Sequence, residues 1–477
     1  MSVFNLDTLL LLPFAAALAM AFMNDRGART FGVVFAFVQA VLAGHLAFGE
    51  VPFSTLAVNR AWLPQLGISW TLGLDGANLW LVVLTPLITA LAFLTLSERT
   101  ERIALYSANL MLLNALLSGL FLAQNLGLFY IFFEAMLIPA AVLVAGWATR
   151  DGRQTAVRFL LFTLIGSLPM LLGVLVLAYA GWGSDGTPNL NFNNLDGLPR
   201  ATQIFLFVPF ALAFLVKMPV FPLHGWLAPL YRNAPASTIA VIAAMMSKAG
   251  AYGLLKVGLT VFPLALVESV NVLGTLAVLS VIYGACAALG SDSLREVLAF
   301  SSLSHMAMIA LGIVTLTENG VAGAGLQMAG HAVATGGLFL AVALMEKRGM
   351  PDELRRFGGM ASMTPRFTIL TLFLVLASLG QPGLGSFPGE LYILTGGYGG
   401  YPAIAVVACL GIVLAAAYML RWYQTIFTGE PGTFRPPSDL RGRETVVLLI
   451  PIALSLVMGL APSIFLQPIQ AWVAGVL

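Results

Sequence analysis

The sequence contains few charged residues for its length. Only 9% of its 477 residues are Asp, Glu, Lys or Arg, whereas 59% are hydrophobic. Soluble domains carry roughly 25% charged residues, so a soluble protein of this composition would lack an adequate wet surface. Apolar runs close to the ~20 residues that cross a bilayer as a helix recur from end to end. The composition predicts an all-α polytopic membrane protein without a sizeable soluble domain.

Cysteine and clustered charge are also scarce. The two cysteines, Cys286 and Cys409, lie inside apolar runs and are not at metal-ligand spacing, which argues against iron–sulfur, zinc and disulfide roles. The net charge is only +2 and no charged tail occurs, so nothing indicates nucleic-acid binding. The first apolar segment contains Asp7 and its arginines follow it, so we expect a retained first helix and not a cleaved signal peptide.

The apolar runs predict about fourteen spans. Their limits are 3–22, 31–49, 77–97, 104–123, 126–148, 157–180, 202–232, 236–259, 270–290, 295–315, 321–345, 366–399, 402–427 and 445–473. With the N-terminus outside, eighteen of the 23 basic residues lie on the inner side, whereas only Arg60, Arg200 and Lys256 lie on the outer side. This positive-inside bias predicts that both termini face outwards.

Two long outer loops interrupt the spans. In the first, residues 50–76, larger apolar side chains alternate with smaller or polar ones in "GISWTLGLDG", which predicts a short strand or hairpin. The second, residues 181–200, is interpreted as an ordered polar cap. Neither loop is expected to be catalytic.

Proline and glycine interrupt two spans that are too long. The stretch "KMPVFPLHGWLAP" (217–229) lies in span seven and "GQPGLGSFPGE" (380–390) in span twelve. Proline removes a backbone donor and breaks a helix, and broken helices five spans apart are typical of transporters built from inverted repeats. We therefore predict N-terminal spans over 1–103, a five-helix repeat over 104–259, an inverted repeat over 270–427, and a loop with the last span over 428–477.

A few ionisable residues lie deep within the predicted spans. A charge at the centre of a membrane helix costs roughly 2.5–3.5 kcal/mol, so such residues face one another or water and mark ion or proton paths. At ~1.5 Å per residue several of them lie at a similar depth, which predicts a layer that runs along the membrane. The candidates are Glu134, Lys217, Lys248, His305, His331 and Glu390.

These groups can all bind and release a proton. A Glu134–Lys217 pair at ~4 Å would gain about 4 kcal/mol in an effective dielectric near 20, which would hold the lysine charged until the pair separates. The purely structural alternatives stay open: the glutamate or the lysines could satisfy freed backbone groups, and the two histidines could be hydrogen-bonded core residues. Lys256, near a span end, is expected to snorkel.

Several motifs together resemble a known family. "FFEAMLIP", "LVKMPVFPLHGWL", "SKAGAYGLL", "SLSHM" and "GSFPGELYIL" occur in this order across most of the chain. They are similar to motifs of the antiporter-like membrane subunits of proton-pumping NADH:quinone oxidoreductase, complex I. Among the sister chains the agreement is best with the M type, because Glu390 stands where chains L and N carry a lysine. Because no apolar run follows span fourteen, we also expect no counterpart of the lateral helix of chain L.

The resemblance implies a proton-channel subunit in a bacterial plasma membrane. Residues matching Glu134, Lys217, Lys248 and Glu390 form the proton path in that family, with His305 and His331 as central relays. The subunit would hold no cofactor; NADH, FMN, iron–sulfur clusters and quinone are expected in partner subunits. Its partners would be the L-type and N-type chains and the lipid bilayer.

One stretch departs from the family pattern. Chain M relatives often have WLPDAHVEAP after the first break, whereas this chain has "WLAPLYRNAP" (226–235), which leaves the inner route of proton uptake open. Two other functions also stay open. One is a subunit of a multi-subunit cation/proton antiporter or membrane-bound hydrogenase, and the other is a structural membrane subunit that keeps its charges for packing.

Overall fold

The computed structural model describes residues 5–49, 52–97, 100–148, 151–180, 188–195, 197–435 and 438–477, with all side chains in these ranges except those at 400, 403, 404 and 407. The described chain is predominantly helical, as predicted. Its α-helices are α1 (Leu6–Ala21), α2 (Asp25–Phe48), α3 (Leu79–Thr95), α4 (Ile103–Leu122), α5 (Leu126–Ala135), α6 (Leu137–Trp147), α7 (Gly152–Tyr179), α8 (Arg200–Lys217), α9 (Leu227–Asn233), α10 (Ala236–Val241), α11 (Lys248–Thr260), α12 (Pro263–Gly290), α13 (Leu294–Val314), α14 (Glu318–Glu346), α15 (Met360–Met363), α16 (Pro365–Ser378), α17 (Ser386–Gly400), α18 (Pro402–Phe427), α19 (Gly442–Leu460) and α20 (Pro462–Val473).

Eleven helical segments within the described ranges are long and apolar enough to cross a membrane. Three shorter apolar helices, α1, α3 and α16, coincide with further predicted spans. The all-α membrane architecture is thereby confirmed, whereas the count of fourteen crossings and the inverted relation of the repeats stay predictions.

The first of the two long loops, residues 50–76, contains the predicted hairpin. Strand β1 (Ala57–Leu63) pairs antiparallel with β2 (Ile68–Gly73). Asn125, the N-cap of α5, donates from Nδ2 to the carbonyl of Gly67 at 3.1 Å and to Oδ1 of Asn191 at 2.9 Å. The second loop is thus held against the hairpin at residues 188–195; positions 181–187 and 196 of the predicted cap lie outside the described residues.

Both predicted helix breaks are present. Helix α8 ends at Lys217 and α9 begins at Leu227, while α16 ends at Ser378 and α17 begins at Ser386. In the second break Gly380 and Gly383 have φ angles of 75° and 89°, in the left-handed region that glycine adopts without a steric penalty. The proline- and glycine-rich stretches therefore end the helices where the sequence predicts.

Two further interruptions were not predicted. Span five divides into α5 and α6 at Met136, two residues after Glu134. Pro139 explains this break, because in a regular helix its ring would clash with the carbonyl of Ala135, four residues earlier. Span eight contains a π-helix, Ile242–Met246, between α10 and α11, and π-turns inside α-helices occur frequently at functional sites.

The centre of the bundle is formed by spans eight, ten and eleven. Within the apolar core of each span, 100% of the residues of span eight (α10, the π-helix and α11), 94% of those of α13 and 100% of those of α14 are buried. Helix α14 packs against α13, α10 and α17. Since α11, α13 and α14 carry Lys248, His305 and His331, the fold places these three polar residues where neither lipid nor bulk water surrounds them.

Candidate functional site: a buried polar cluster at two helix interruptions

The local backbone positions Lys248. It is the first residue of α11, directly after the π-helix and Ser247. Its Nζ donates to the carbonyl of Ala243 at 2.9 Å, and Ser247 Oγ lies 3.4 Å away. The π-turn thus supplies a backbone acceptor that a regular α-helix would use for its own ladder, and this contact fixes the amine of a completely buried lysine.

Lys248 also contacts His331 of α14. Lys248 Nζ and His331 Nδ1 are 2.5 Å apart, and His331 Nε2 lies 3.1 Å from Thr335 Oγ1. If the ammonium donates to Nδ1, the imidazole carries its own proton on Nε2, directed at the Thr335 hydroxyl. The alternative arrangement is a neutral amine that accepts from Nδ1. The two arrangements differ by the transfer of one proton along a single hydrogen bond.

His305 extends the cluster towards the second break. The ring centroids of His305 and His331 are 5.6 Å apart. His305 Nδ1 lies 3.3 Å from Glu390 Oε1, which also accepts from Gln327 Nε2 at 3.1 Å. His305 Nε2 is buried without a hydrogen-bond partner. An unpartnered buried nitrogen is a costly feature, and it leaves the ring free to bind another proton.

Glu390 lies beside the broken backbone of span twelve. A Cβ added to Gly380 would come within 2.3 Å of Glu390 Oε2. Gly380 is therefore needed for two reasons, its positive φ and the close approach of the carboxylate. Four of the six predicted residues, Lys248, His331, His305 and Glu390, form one chain of contacts between the π-helix and the second break, hereafter the central cluster.

Glu134 and Lys217 lie outside the central cluster. Both carboxylate oxygens of Glu134 and the Nζ of Lys217 are buried without a hydrogen-bond partner. Lys217 Nζ lies 4.4 Å from the ring centroid of Phe133, the residue before Glu134. The two side chains therefore make no direct hydrogen bond in this structure, and the ion pair expected from the sequence is not formed, although the break at Met136 places Glu134 close to the first break.

Two further residues, Gln327 and Thr335, belong to the site although they were not predicted, and their spacing in the sequence is a usable signal. Gln327 and Thr335 stand four residues before and four residues after His331, so all three share one face of α14. Both contact the central cluster. Polar residues spaced four apart in an otherwise apolar helix indicate a hydrogen-bonded row, so this spacing identifies both residues from the sequence.

The side chain of Lys256 does not extend to the membrane surface as expected from the sequence. Instead of snorkelling, its Nζ forms an ion pair with Asp75 Oδ2 at 2.5 Å and lies 5.4 Å from the ring centroid of Trp472. Asp75 follows β2, and Trp472 belongs to α20. The pair therefore fastens span eight to the hairpin and to the last helix.

The described residues contain no group of three or more His, Cys, Asp or Glu side chains that could hold a metal ion. Cys286 and Cys409 are exposed, free thiols. The central cluster consists of amine, imidazole and carboxylate groups, each of which can bind and release a proton.

These features define a polytopic membrane protein in which a buried row of titratable side chains links interrupted helices. The chain belongs to the family described as NADH:quinone oxidoreductase/Mrp antiporter, TM, which matches residues 123–415. The resemblance inferred from the motifs is thereby confirmed.

Relatives cover nearly the whole chain. NADH-ubiquinone oxidoreductase chain 4 of Arabidopsis thaliana is 30% identical and covers 97% of this chain and 95% of its own length. NADH-quinone oxidoreductase subunit M of Escherichia coli strain K12 is 33% identical, with 84% and 81% covered.

Solved structures share the fold. A chain of respiratory complex I from Thermus thermophilus is 32% identical, with 99% of both chains covered and a TM-score of 0.91. A chain of the Mrp complex from Dietzia sp. is 21% identical, with 100% of this chain and 98% of that chain covered and a TM-score of 0.86; this second likeness concerns the fold alone.

Proposed function

We propose that this chain is a proton-translocating membrane subunit of an NADH:quinone oxidoreductase. Relatives that carry the names of its chain 4 and subunit M support the proposal, as does the match to a complex I chain. The observation that carries it is the 2.5 Å contact between Lys248 and His331 at the buried centre of the helix bundle. A buried amine–imidazole hydrogen bond is costly as packing and useful as a proton relay.

Protons would move through the central cluster by short transfers. A proton on Lys248 passes to His331 Nδ1, and reorientation of the rings carries it to His305, whose Nδ1 faces Glu390. Glu390 then releases it where the broken span twelve admits water. Each step moves one proton and leaves its donor ready to be protonated again. The four residues would therefore act as a proton relay that is oriented along the membrane.

Glu134 and Lys217 would control this relay. In the structure the carboxylate and the amine are both buried and unpartnered, which corresponds to a separated pair. When the two approach, their attraction holds the lysine charged; when they separate, its proton is free to leave. The breaks at Met136 and after Lys217 give both side chains a backbone that can adjust.

The subunit would lie in a bacterial plasma membrane with both termini outside, because the basic residues concentrate on one side of the predicted spans. L-type and N-type membrane chains would be its neighbours. NADH oxidation by flavin and iron–sulfur centres and the reduction of quinone would take place in other subunits, and this chain would contribute the proton path.

The alternative function is that of a subunit of a multi-subunit cation/proton antiporter, because the chain shares its fold with a chain of the Mrp complex. Purification of the affinity-tagged chain from its native membrane decides between them. The proposal expects flavin and iron–sulfur subunits to co-purify with NADH:quinone activity. Co-purification of membrane antiporter subunits alone, without bound flavin or NADH oxidation, would overturn it.

A further inference from the structure

Two cavities open at the end of the bundle that carries Arg232, Arg295 and Lys347, hereafter the basic face. The larger has a volume of about 460 Å³ and the smaller about 350 Å³. Each can hold several water molecules, since one occupies about 30 Å³ in the liquid. Trp147, Pro235 and Glu346 line both cavities, so the Glu346 carboxylate stands at the wall between them.

Glu346 is the last residue of α14, and its two oxygens have different partners. Oε2 accepts from the backbone N–H of Ala236 at 3.0 Å, and Oε1 forms an ion pair with the Arg295 guanidinium. The Glu346 side chain is 27% exposed, whereas that of Arg295 is 7% exposed. The carboxylate is therefore in contact with water on one side and with a buried cation on the other.

Arg295 is fixed independently of Glu346. Its Nη1 donates to the carbonyls of Arg232 and Ala234, at 3.2 and 2.7 Å. Both carbonyls belong to residues 227–235, hereafter the linker, which comprise α9 and the two residues before α10 and contain no Asp or Glu. The carboxylate nearest to the start of span eight is thus supplied by span eleven and not by the linker itself.

Hydroxyl groups continue from Glu346 towards the interior. Ser237 lines the smaller cavity and its Oγ accepts from Thr95 at 3.1 Å, while Thr238 Oγ1 and Tyr106 OH are 2.6 Å apart. Ser237 and Thr238 belong to α10, which leads through the π-helix to Lys248. The Glu346 carboxylate, the smaller cavity and the hydroxyls of α10 therefore lie at the start of span eight, the span that carries Lys248 of the central cluster.

A purely structural role for Glu346 would account for part of this arrangement. The carboxylate caps the first turn of α10, and the ion pair ties span eleven to span ten. A structural tie does not explain why the carboxylate stands between two water-accessible cavities, or why hydroxyls follow it. The helix cap needs only an acceptor oxygen, which the amide of glutamine also provides.

We propose that Glu346 is the proton-accepting group at the inner mouth of the channel and that Arg295 is its positioning residue. A hydronium ion in the larger cavity gives its proton to the carboxylate, which becomes a neutral acid and leaves Arg295 hydrogen-bonded to the linker carbonyls. The acid then gives the proton to water in the smaller cavity and pairs with Arg295 again. The inference rests on the proposed function and supplies the uptake route that the linker of this chain lacks.

The test compares Glu346→Gln, Glu346→Asp and the control Glu353→Gln in the complete complex reconstituted in vesicles. Glu353 lines the larger cavity and is exposed beside Arg356, so its variant changes the charge of the cavity but not the proposed acceptor. Proton uptake from the basic-face side and NADH oxidation are measured on the same vesicles. The Gln variant keeps the cap on Ala236, so assembly should be retained.

We expect uptake per NADH to fall to about one-half or less in Glu346→Gln, to recover in Glu346→Asp, and to stay unchanged in Glu353→Gln. Unchanged uptake in an assembled Glu346→Gln complex would overturn the inference, and so would equal losses in the Gln and Asp variants. If His331→Gln lowers uptake and Glu346→Gln does not, Glu346 is not the proton acceptor at the inner mouth, and the proposed function is unaffected. Normal uptake in both variants would refute both this inference and the proposed function.

Discussion

The side chain of Glu390 offers a sharp test of the relay because its partner is known. Glu390→Gln keeps the shape of the residue and its hydrogen-bonding capacity towards Gln327, but it removes the negative charge 3.3 Å from His305 Nδ1. At this distance the attraction between a carboxylate and a protonated imidazole is about 5 kcal/mol at an effective dielectric of 20. The variant should therefore raise the free energy of the charged His305 by up to about that amount.

A penalty of this size slows the step from His331 to His305. Since each 1.36 kcal/mol corresponds to a factor of ten, the transfer rate should fall by roughly 10³-fold or more. We expect proton translocation per NADH to be largely abolished in Glu390→Gln. Glu390→Lys should retain more translocation, because a neutral lysine amine can bind the arriving proton and the resulting ammonium can donate a hydrogen bond to Gln327 Oε1, which is buried without a partner.

The assay uses the purified complex in vesicles, with an enclosed pH dye for proton movement and NADH absorbance for electron transfer. The matched control is Glu318→Gln, since Glu318 is an exposed glutamate in the first turn of α14. The control should pump normally. Equal pumping by the Gln and Lys variants, whether high or low, would refute the reasoning, because titration at position 390 would then be irrelevant.

Two further predictions address the first break and the basic face. Glu134→Ala should leave assembly intact and strongly reduce NADH-driven proton uptake by membrane vesicles, with partial retention in Glu134→Asp; normal uptake by the Ala variant would exclude the proposed control of Lys217. Burial, followed by the positive charges of Arg29 and Arg443, lowers the pKa of Lys347 to about 8, so an impermeant amine reagent should label Lys347 with a midpoint near pH 8 and only from the inner side. A midpoint near the ordinary lysine value of about 10.4, or labelling from outside, would contradict it.

The positions of the spans and of the two breaks were predictable because their signals are local. Long apolar runs specify membrane helices. Proline and glycine at 217–229 and 380–390 interrupt them, and the structure places both interruptions there. A charged residue inside an apolar run is likewise visible without a structure, so Lys248, His305, His331 and Glu390 were found.

The π-helix before Lys248 could not be predicted in the same way. Residues 236–247, "ASTIAVIAAMMS", contain neither proline nor glycine, so packing in the bundle and the capture of the Ala243 carbonyl by Lys248 decide the local geometry. The separation of Glu134 and Lys217 was equally out of reach. Their distance depends on how span five meets span seven, and no spacing along the chain determines that contact.

The contacts of Glu346 could not be predicted for a related reason. Its position at a span end, beside Lys347 and Arg348, is typical of a surface ion pair. Only the folded chain shows that it meets Arg295 of another span between two cavities.

We propose above that the row from Lys248 through His331 and His305 to Glu390 carries protons. The most direct test of this proposal is the number of protons translocated per NADH by a complex carrying His331→Gln. The Gln side chain can still contact Lys248 and Thr335 but does not titrate near neutral pH. We expect an assembled complex that oxidises NADH with markedly reduced proton translocation. An unchanged ratio of protons to NADH in a fully assembled complex would contradict it.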